Sequence, residues 1–327
     1  MTLHLNHSYR IHFLIGIIFI ITSHLTFAQS YPNRSIRLVV PFTAGGGTDI
    51  AARIVSQRLS EQLGVAIVVD NRNGAGGIIG TDIVAKSAPD GYTLGLVSSS
   101  HSINISLHKS LPYDTVKDFT PISLVVYAPG MLVTTLSLPV SNLKEFISLA
   151  KSKPNQLTYG SAGNGTPTHL AMELLKSIAK IDINHVPYKG AGSLLPDLLN
   201  GQIVAAIPSA ASVISMIQSG KIRGISVTSI TRTAAAPNIP TMSESGLNGY
   251  DANSWYGMVG PAQVPSVIVK RIHSEIQIAL KTTQVSDKLI ALALDPVGNT
   301  PEQFLARIRN EIKKWERIIQ SSGAKLD

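Results

Sequence analysis

No cysteine occurs anywhere in the 327 residues. Disulfides, zinc–thiolate sites, thiol nucleophiles and acyl-cysteine anchors are therefore excluded, and the absence fits an oxidising compartment without requiring one. Charge is also sparse. Asp, Glu, Lys and Arg make up 15% of the chain, against roughly a quarter in an ordinary globular protein. The formal charge is +8, but Lys and Arg are dispersed and never form a run of four. That pattern gives no nucleic-acid footprint and leaves a weak bias towards anions. Among the histidines at 101, 108, 169, 185 and 273 there is no His-x-x-x-His pair, so no metal motif is legible and neither a metal nor a cofactor is assigned. Beyond residue 28 no apolar run approaches the ~20 residues of a membrane-spanning helix.

What is present begins with a leader. Arg10 is followed by an apolar stretch over residues 11–21, broken only by His12 and Gly16, and Thr26-Phe27-Ala28 ends in a small residue before Gln29. These are the parts of a secretory signal over 1–28 with cleavage near Ala28-Gln29. Removing it takes away Arg10 and no acid, leaving +7 for the mature chain. Hydrophobic content of 44% supports a full core, and the length suits about two domains.

Two glycine-rich turns organise the rest. The first, Pro41-Phe42-Thr43-Ala44-Gly45-Gly46-Gly47-Thr48-Asp49, follows the apolar run 36–40 and precedes a helical pattern over 50–63. The second, Tyr159-Gly160-Ser161-Ala162-Gly163-Asn164-Gly165-Thr166, follows an expected strand at 157–159 and precedes a helical pattern over 169–178. Glycine lets main-chain N–H groups approach a ligand closely, and a helix start adds free donors and positive potential. Each turn is thus half of an anion pocket, unless its job is only to reverse the chain. Strands are expected at 66–69, 93–97, 119–126, 131–135, 184–186, 204–207, 225–228 and 255–259, with helices at 78–86, 142–151, 194–200, 265–281 and 301–319. Strands and helices joined by short glycine turns indicate an α/β fold of βαβ units. The late helices have no sheet of their own and are expected to pack on the first lobe. The chain would then cross between lobes twice, near 126–129 and 249–255, forming a hinge and a cleft.

Neither turn fits a nucleotide motif. No Gly-Lys-Ser/Thr follows the first, and its Gly-x-Gly-x-x-Gly spacing fails at Ile50. A hydrolase elbow around Ser161 would need glycine where Tyr159 stands. The hydroxyls of Ser161, Thr166 and Thr168 read instead as donors to an anion. Asp49 reads as a helix cap or loop brace. His169 suits either a packing role or ligand contact, and Lys189 either a cationic contact or a solvated loop.

At this point the chain resembles the extracytoplasmic solute-binding proteins of the tripartite tricarboxylate transporter system, the Bug family. The matching stretches include Ala44-Gly-Gly-Gly-Thr-Asp49, Val69-Asp-Asn-Arg-Asn-Gly-Ala-Gly-Gly77, Ala88-Pro-Asp-Gly-Tyr-Thr-Leu94, Leu111-Pro-Tyr-Asp114 and His185-Val-Pro-Tyr-Lys-Gly190. The resemblance implies a type II periplasmic-binding-protein fold, with two lobes, each a mostly parallel sheet flanked by helices, and a hinged cleft between them. The implied division is 29–126 plus 254–327 for one lobe and 127–253 for the other. It also implies a periplasmic protein without catalysis that holds a small carboxylate for membrane transporter subunits, acting as a monomer with no nucleic-acid partner. Carried onto this chain, the implied ligand loops supply Phe42, Ala44, Gly45, Gly46, Gly47, Thr48, Asp49, Gly76, Ser99, His101, Ser161, Gly163, Thr166, Thr168, His169, Tyr188, Lys189 and Ser209. The strand before Ser209 lacks the acidic residue that many relatives have there. From another class, a two-domain enzyme acting on an anionic substrate would use the same cleft, and a partner presenting ligand to a sensor kinase would have the same sequence features.

Overall fold

The run Ile-Arg-Leu-Val-Val at Ile36–Val40 buries every residue but Arg37, so both faces of this strand, β1, are covered, as in a sheet sandwiched between helices. The computed structural model describes residues 31–322, with side chains to 320. The expected signal at 1–28 and its cleavage point lie outside the described residues. Everything below concerns the compact unit that starts at Arg34. Among the described residues, no helix is long and apolar enough to cross a membrane.

The first sheet has six strands. In spatial order they are β11 (Asp295–Pro296), β4 (Phe119–Ala128), β10 (Ser254–Pro261), β3 (Thr93–Ser98), β1 and β2 (Ile67–Asn71). Strands β2, β1 and β3 pair in parallel, while β10 runs antiparallel to both β3 and β4. Its early helices are α1 (Gly47–Leu63), α2 (Ile78–Ala85) and α3 (Ser100–Leu107). The α1 helix ends where the sequence says it must: Gly64 takes φ 69°, and its N–H returns to the Ser60 carbonyl.

The second sheet has five strands: β7 (Asn184–Pro187), β6 (Thr158–Ser161), β8 (Ala205–Ala206), β5 (Met131–Thr134) and β9 (Arg223–Val227). Here β7, β6 and β8 are parallel, and β5 is antiparallel to β8 and β9. Helices α4 (Leu143–Ser152), α5 (Pro167–Ala179), α6 (Ala191–Leu199) and α7 (Ala210–Gln218) accompany it. The chain passes from the first sheet to the second between β4 and β5 and returns between β9 and β10. In each sheet the βα-linked strands supply the parallel pairs, and strands next to the crossings run antiparallel. Both sheets are therefore mixed.

Three helices, α8 (Ser266–Lys281), α9 (Thr283–Ala291) and α10 (Pro301–Ser322), complete the chain. Of the two late helices expected to pack on the first lobe, α10 reaches both cores. Its Phe304 and Ile308 join Trp255 and Val259 in the first lobe's core, but Trp315 and Ile319 join Phe146, Tyr159 and Tyr250 in the core of the second. Spacing at 3.6 residues defines a stripe but does not say that its two halves meet different partners. The helices α3, α7 and α9 were not expected. In α3 the sequence Ser-His-Ser-Ile-Asn-Ile-Ser-Leu has no clear stripe, and burial of Ser100 through Asn104 holds it in place of propensity.

Candidate functional site

The first glycine turn carries the chain from β1 into α1. Gly45 stands at φ 77°, a left-handed conformation that suits glycine, and its N–H donates to Asp49 Oδ2 at 3.0 Å. Arg53 Nε donates to the same oxygen at 2.9 Å, and Asn71 Nδ2 reaches Oδ1 at 3.1 Å and the Phe42 carbonyl at 3.0 Å. Burial alone would raise the Asp49 pKa, but these donors more than reverse that and hold it below the usual carboxylate range. Asp49 is thus a brace that shapes the turn. With the acid folded inwards, the first-turn N–H groups of α1, from Gly47 on, have no upstream carbonyl to bond.

The second turn is built in the same way from different parts. Thr166 caps α5 by accepting from the His169 N–H, and Pro167 occupies the first turn, where a missing N–H costs nothing. The Thr166 hydroxyl donates to the Gly163 carbonyl at 2.7 Å and pairs with Thr168 Oγ1 at 2.8 Å, which in turn accepts from Ala162 N–H at 2.8 Å. His169 Nδ1 accepts from Gly165 N–H. These hydroxyls and this ring are engaged in holding the loop.

Both turns open onto one cavity of about 60 Å³, partly open to solvent. Its wall includes Gly46, Gly47 and Thr48 from the first turn, and Ala162, Thr166, Pro167 and Thr168 from the second. Ala191 at the start of α6 and Ser209 at the N-cap of α7 also line it. Four helices therefore begin at the wall of one cavity, two of them at the glycine turns. Each presents the positive end of a macrodipole, equivalent to roughly half a charge. Two hydroxyls reinforce them. Tyr256 on β10 sits beside Ser209 and Thr48, and its phenol is pushed up to about 12 by burial, so it remains a neutral donor. Ser209 Oγ is buried with no partner in hydrogen-bonding geometry.

Glycines also line the seam where the lobes meet. A side chain at Gly190 would strike Thr43, one at Gly192 would strike the Ala44 carbonyl, and one at Gly76 would lie 3.0 Å from the Asn164 carbonyl. A second, outer cleft of about 420 Å³ is bounded by Phe42, Gly76, Ala162, Gly163, Tyr188 and Lys189, among others. Phe42 and Ala162 line both spaces.

Of the residues singled out from sequence, Phe42, Gly46, Gly47, Thr48, Thr166, Thr168 and Ser209 meet at the inner cavity. Gly76, Gly163, Tyr188 and Lys189 line the outer cleft. Ala44 and Gly45 belong to the turn but line neither space. Ser99 bonds Ser254 through its hydroxyl at 2.6 Å. Ser161 is fully buried, 2.6 Å from His185 Nε2, and His169 stacks on His185 at 4.2 Å. His101 points away altogether: it packs edge-on against Phe119 at 4.7 Å and meets the Thr115 carbonyl at 2.9 Å. Sequence reasoning did not find Tyr256, Ser254, Ile207 or Ala252. The apolar strand pattern at 255–259 carried no hint that its tyrosine faces a cleft.

The buried histidines give a pH prediction. A carbonyl only accepts, so His101 Nε2 carries the proton and Nδ1 is bare and buried. Burial lowers the pKa of His101 and His185 from 6.5 to about 4. From pH 6.5 down to about 4 the unfolded chain takes up protons that the folded chain refuses. Stability is therefore complete above pH 6.5 and falls as the pH drops through that window, by up to about 3 kcal/mol for each histidine. Thermal unfolding should show a clearly lower midpoint at pH 4.5 than at pH 7, with part of the difference lost in His101→Gln. A midpoint independent of pH over that range would contradict this.

Two α/β lobes joined by crossing strands, with helix starts converging between them, define the class of periplasmic binding proteins, and solved members of that class superpose on this chain. The chain belongs to the tripartite tricarboxylate transporter receptor family, whose model, "Tripartite tricarboxylate transporter family receptor", matches residues 51–324. It is similar to Protein BugT of Bordetella pertussis, with 38% identity over 301 residues covering 91% of this chain and 92% of that one. An R. palustris structure with adipate is 34% identical with a TM-score of 0.88, covering 90% of this chain and 100% of the other. MatC of Rhodopseudomonas palustris with bound malate is 30% identical with a TM-score of 0.84, covering 88% and 100%.

Proposed function

We propose that this chain is an exported, periplasmic solute-binding protein that captures a small organic acid between its lobes and delivers it to the membrane subunits of a tripartite transporter. The observation that carries this reading is the convergence of four helix N-termini on one cavity, a main-chain arrangement suited to a carboxylate. Acids bound by relatives, adipate and malate, point the same way. In this reading the signal at 1–28 is removed, the lobes divide as 29–126 with 254–327 and 127–253, and the mature protein works as a monomer. The inner-cavity residues, chiefly Gly47, Thr48, Ser209 and Tyr256, contact the ligand.

The chain acts by closure and not by turnover. The pair that most suggests hydrolysis, Ser161 and His185, is packed behind the second turn, and Ser161 lines neither cleft. A thermal-shift screen of the mature protein against organic acids, their amides and matched amines tests the reading. Stabilisation by one or more acids is expected, with the ligand recovered unchanged on chromatography. Stabilisation by amines alone, or conversion of the ligand, would refute it.

A further inference from the structure

Two imidazoles lie behind the second glycine turn, and neither lines the inner cavity or the outer cleft. His185 on β7 stands beside Tyr159 of β6 in the parallel register, with the two rings 4.8 Å apart and 21° from parallel. His169, from the first turn of α5, stacks on the same His185 ring at 4.2 Å and 13°. Each histidine holds one point of the turn. His169 Nδ1 accepts from the Gly165 N–H at 3.1 Å, so this nitrogen is bare and the neutral ring carries its proton on Nε2. His185 Nε2 lies 2.6 Å from Ser161 Oγ, while its Nδ1 is buried without a partner. The Ser161 hydroxyl donates to the Gly163 carbonyl at 3.2 Å and accepts from the Gly163 N–H at 3.1 Å. With its one proton used there, the serine accepts from His185, which is therefore also an Nε2–H imidazole. A turn with glycines at 163 and 165 has little stiffness of its own. The two rings supply it from outside.

On the reading above, that the cavity binds an organic acid, we propose that His169 and His185 are positioning residues of the ligand site. As neutral, stacked rings they fix residues 162–166 in the shape that presents Ala162 and Thr166 to the inner cavity. A turn ordered before the ligand arrives spares binding the cost of ordering it.

Nitrogen-15 spectra of the histidine rings in the mature protein at pH 7.5 should show His169 and His185 protonated on Nε2 alone. Two substitutions then separate the acceptor from the ring. His169→Asn keeps an acceptor near the Nδ1 position, whereas His169→Phe keeps a stacked ring and removes the acceptor. Amide exchange at Gly165 should stay slow in His169→Asn and quicken by about tenfold or more in His169→Phe. Calorimetric titration with malate, adipate and benzoate gives the matching affinities. For the tightest of the three, His169→Phe should weaken binding about tenfold, the effect of leaving one amide without its acceptor, and His169→Asn by less than about threefold. Ser161→Ala, which cuts the link from His185 to Gly163, should weaken it by a similar factor of about ten and keeps the test independent of how His169→Phe folds. A His169 ring protonated on Nδ1, equal affinities in the two His169 variants, or unchanged binding in Ser161→Ala overturns the positioning role and leaves the carboxylate reading standing. If none of the three acids binds the unaltered protein, the carboxylate reading falls, and the ring tautomers with Gly165 exchange still decide whether the histidines hold the turn.

Discussion

Gly47→Ala should weaken binding of the best acid about 100-fold, whereas Gly46→Ala, one residue earlier, should change it by less than about threefold. Neither glycine sits in the left-handed region, so the backbone accepts alanine at both. The difference lies in what the new methyl meets. At Gly46 the nearest atom is the Thr43 carbonyl oxygen at 3.4 Å, an ordinary contact. At Gly47 the methyl would run into the Tyr256 hydroxyl and Ser209 Oγ, with Ser209 Cβ at 2.6 Å. Ser209 belongs to the other lobe, so the methyl keeps the lobes apart and displaces the donors that gather there. Overpacking of this kind costs about 1–3 kcal/mol, and a loss of about 2.7 kcal/mol in binding is a factor of 100. Calorimetric titration of both variants measures it. Equal losses at the two positions would show that the steric account is wrong.

Trp315→Ala should lower the free energy of unfolding by about 3–5 kcal/mol, the range for a large aromatic side chain removed from a core. Trp315 is 1% exposed, its indole N–H donates to Glu311 at 2.7 Å, and its ring lies in the second lobe's core although its helix begins in the first. The same helix therefore ties the two lobes together behind the cleft. Urea unfolding followed by fluorescence of the remaining Trp255 reads the loss. Weaker ligand binding should accompany it, because lobes less firmly linked spend less time in the binding geometry. A shift below about 1 kcal/mol would mean that the tryptophan is not the joint between the cores.

Much of the site could be read from the chain because its signals are local. The glycine turn around Gly45 and the stop at Gly64 depend on a few neighbouring residues and on main-chain sterics that hold in any context. Asp49 could be read as a brace for the same reason, since a carboxylate in the first turn of a helix reaches its own loop. His101 could not be placed. Its sequence neighbours do not reveal that residues 113–119 fold over it, and a buried histidine and a ligand histidine look alike in a linear string. Tyr256 escaped for the converse reason. It is one aromatic in an apolar strand, and only pairing with β3 and β4 turns it towards Ser209 and Thr48.

Sequence alone thus settled the alternation of strands and helices, the two anion-suited turns and the absence of thiol and metal motifs, since each rests on the local geometry or chemistry of a few adjacent residues. Tertiary structure decided which helix starts share one cavity, which hydroxyls remain available to a ligand, and that the last helix joins both cores. Those outcomes depend on contacts between residues tens to hundreds of positions apart, where the chain's long-range packing, and not its local pattern, fixes what each side chain meets.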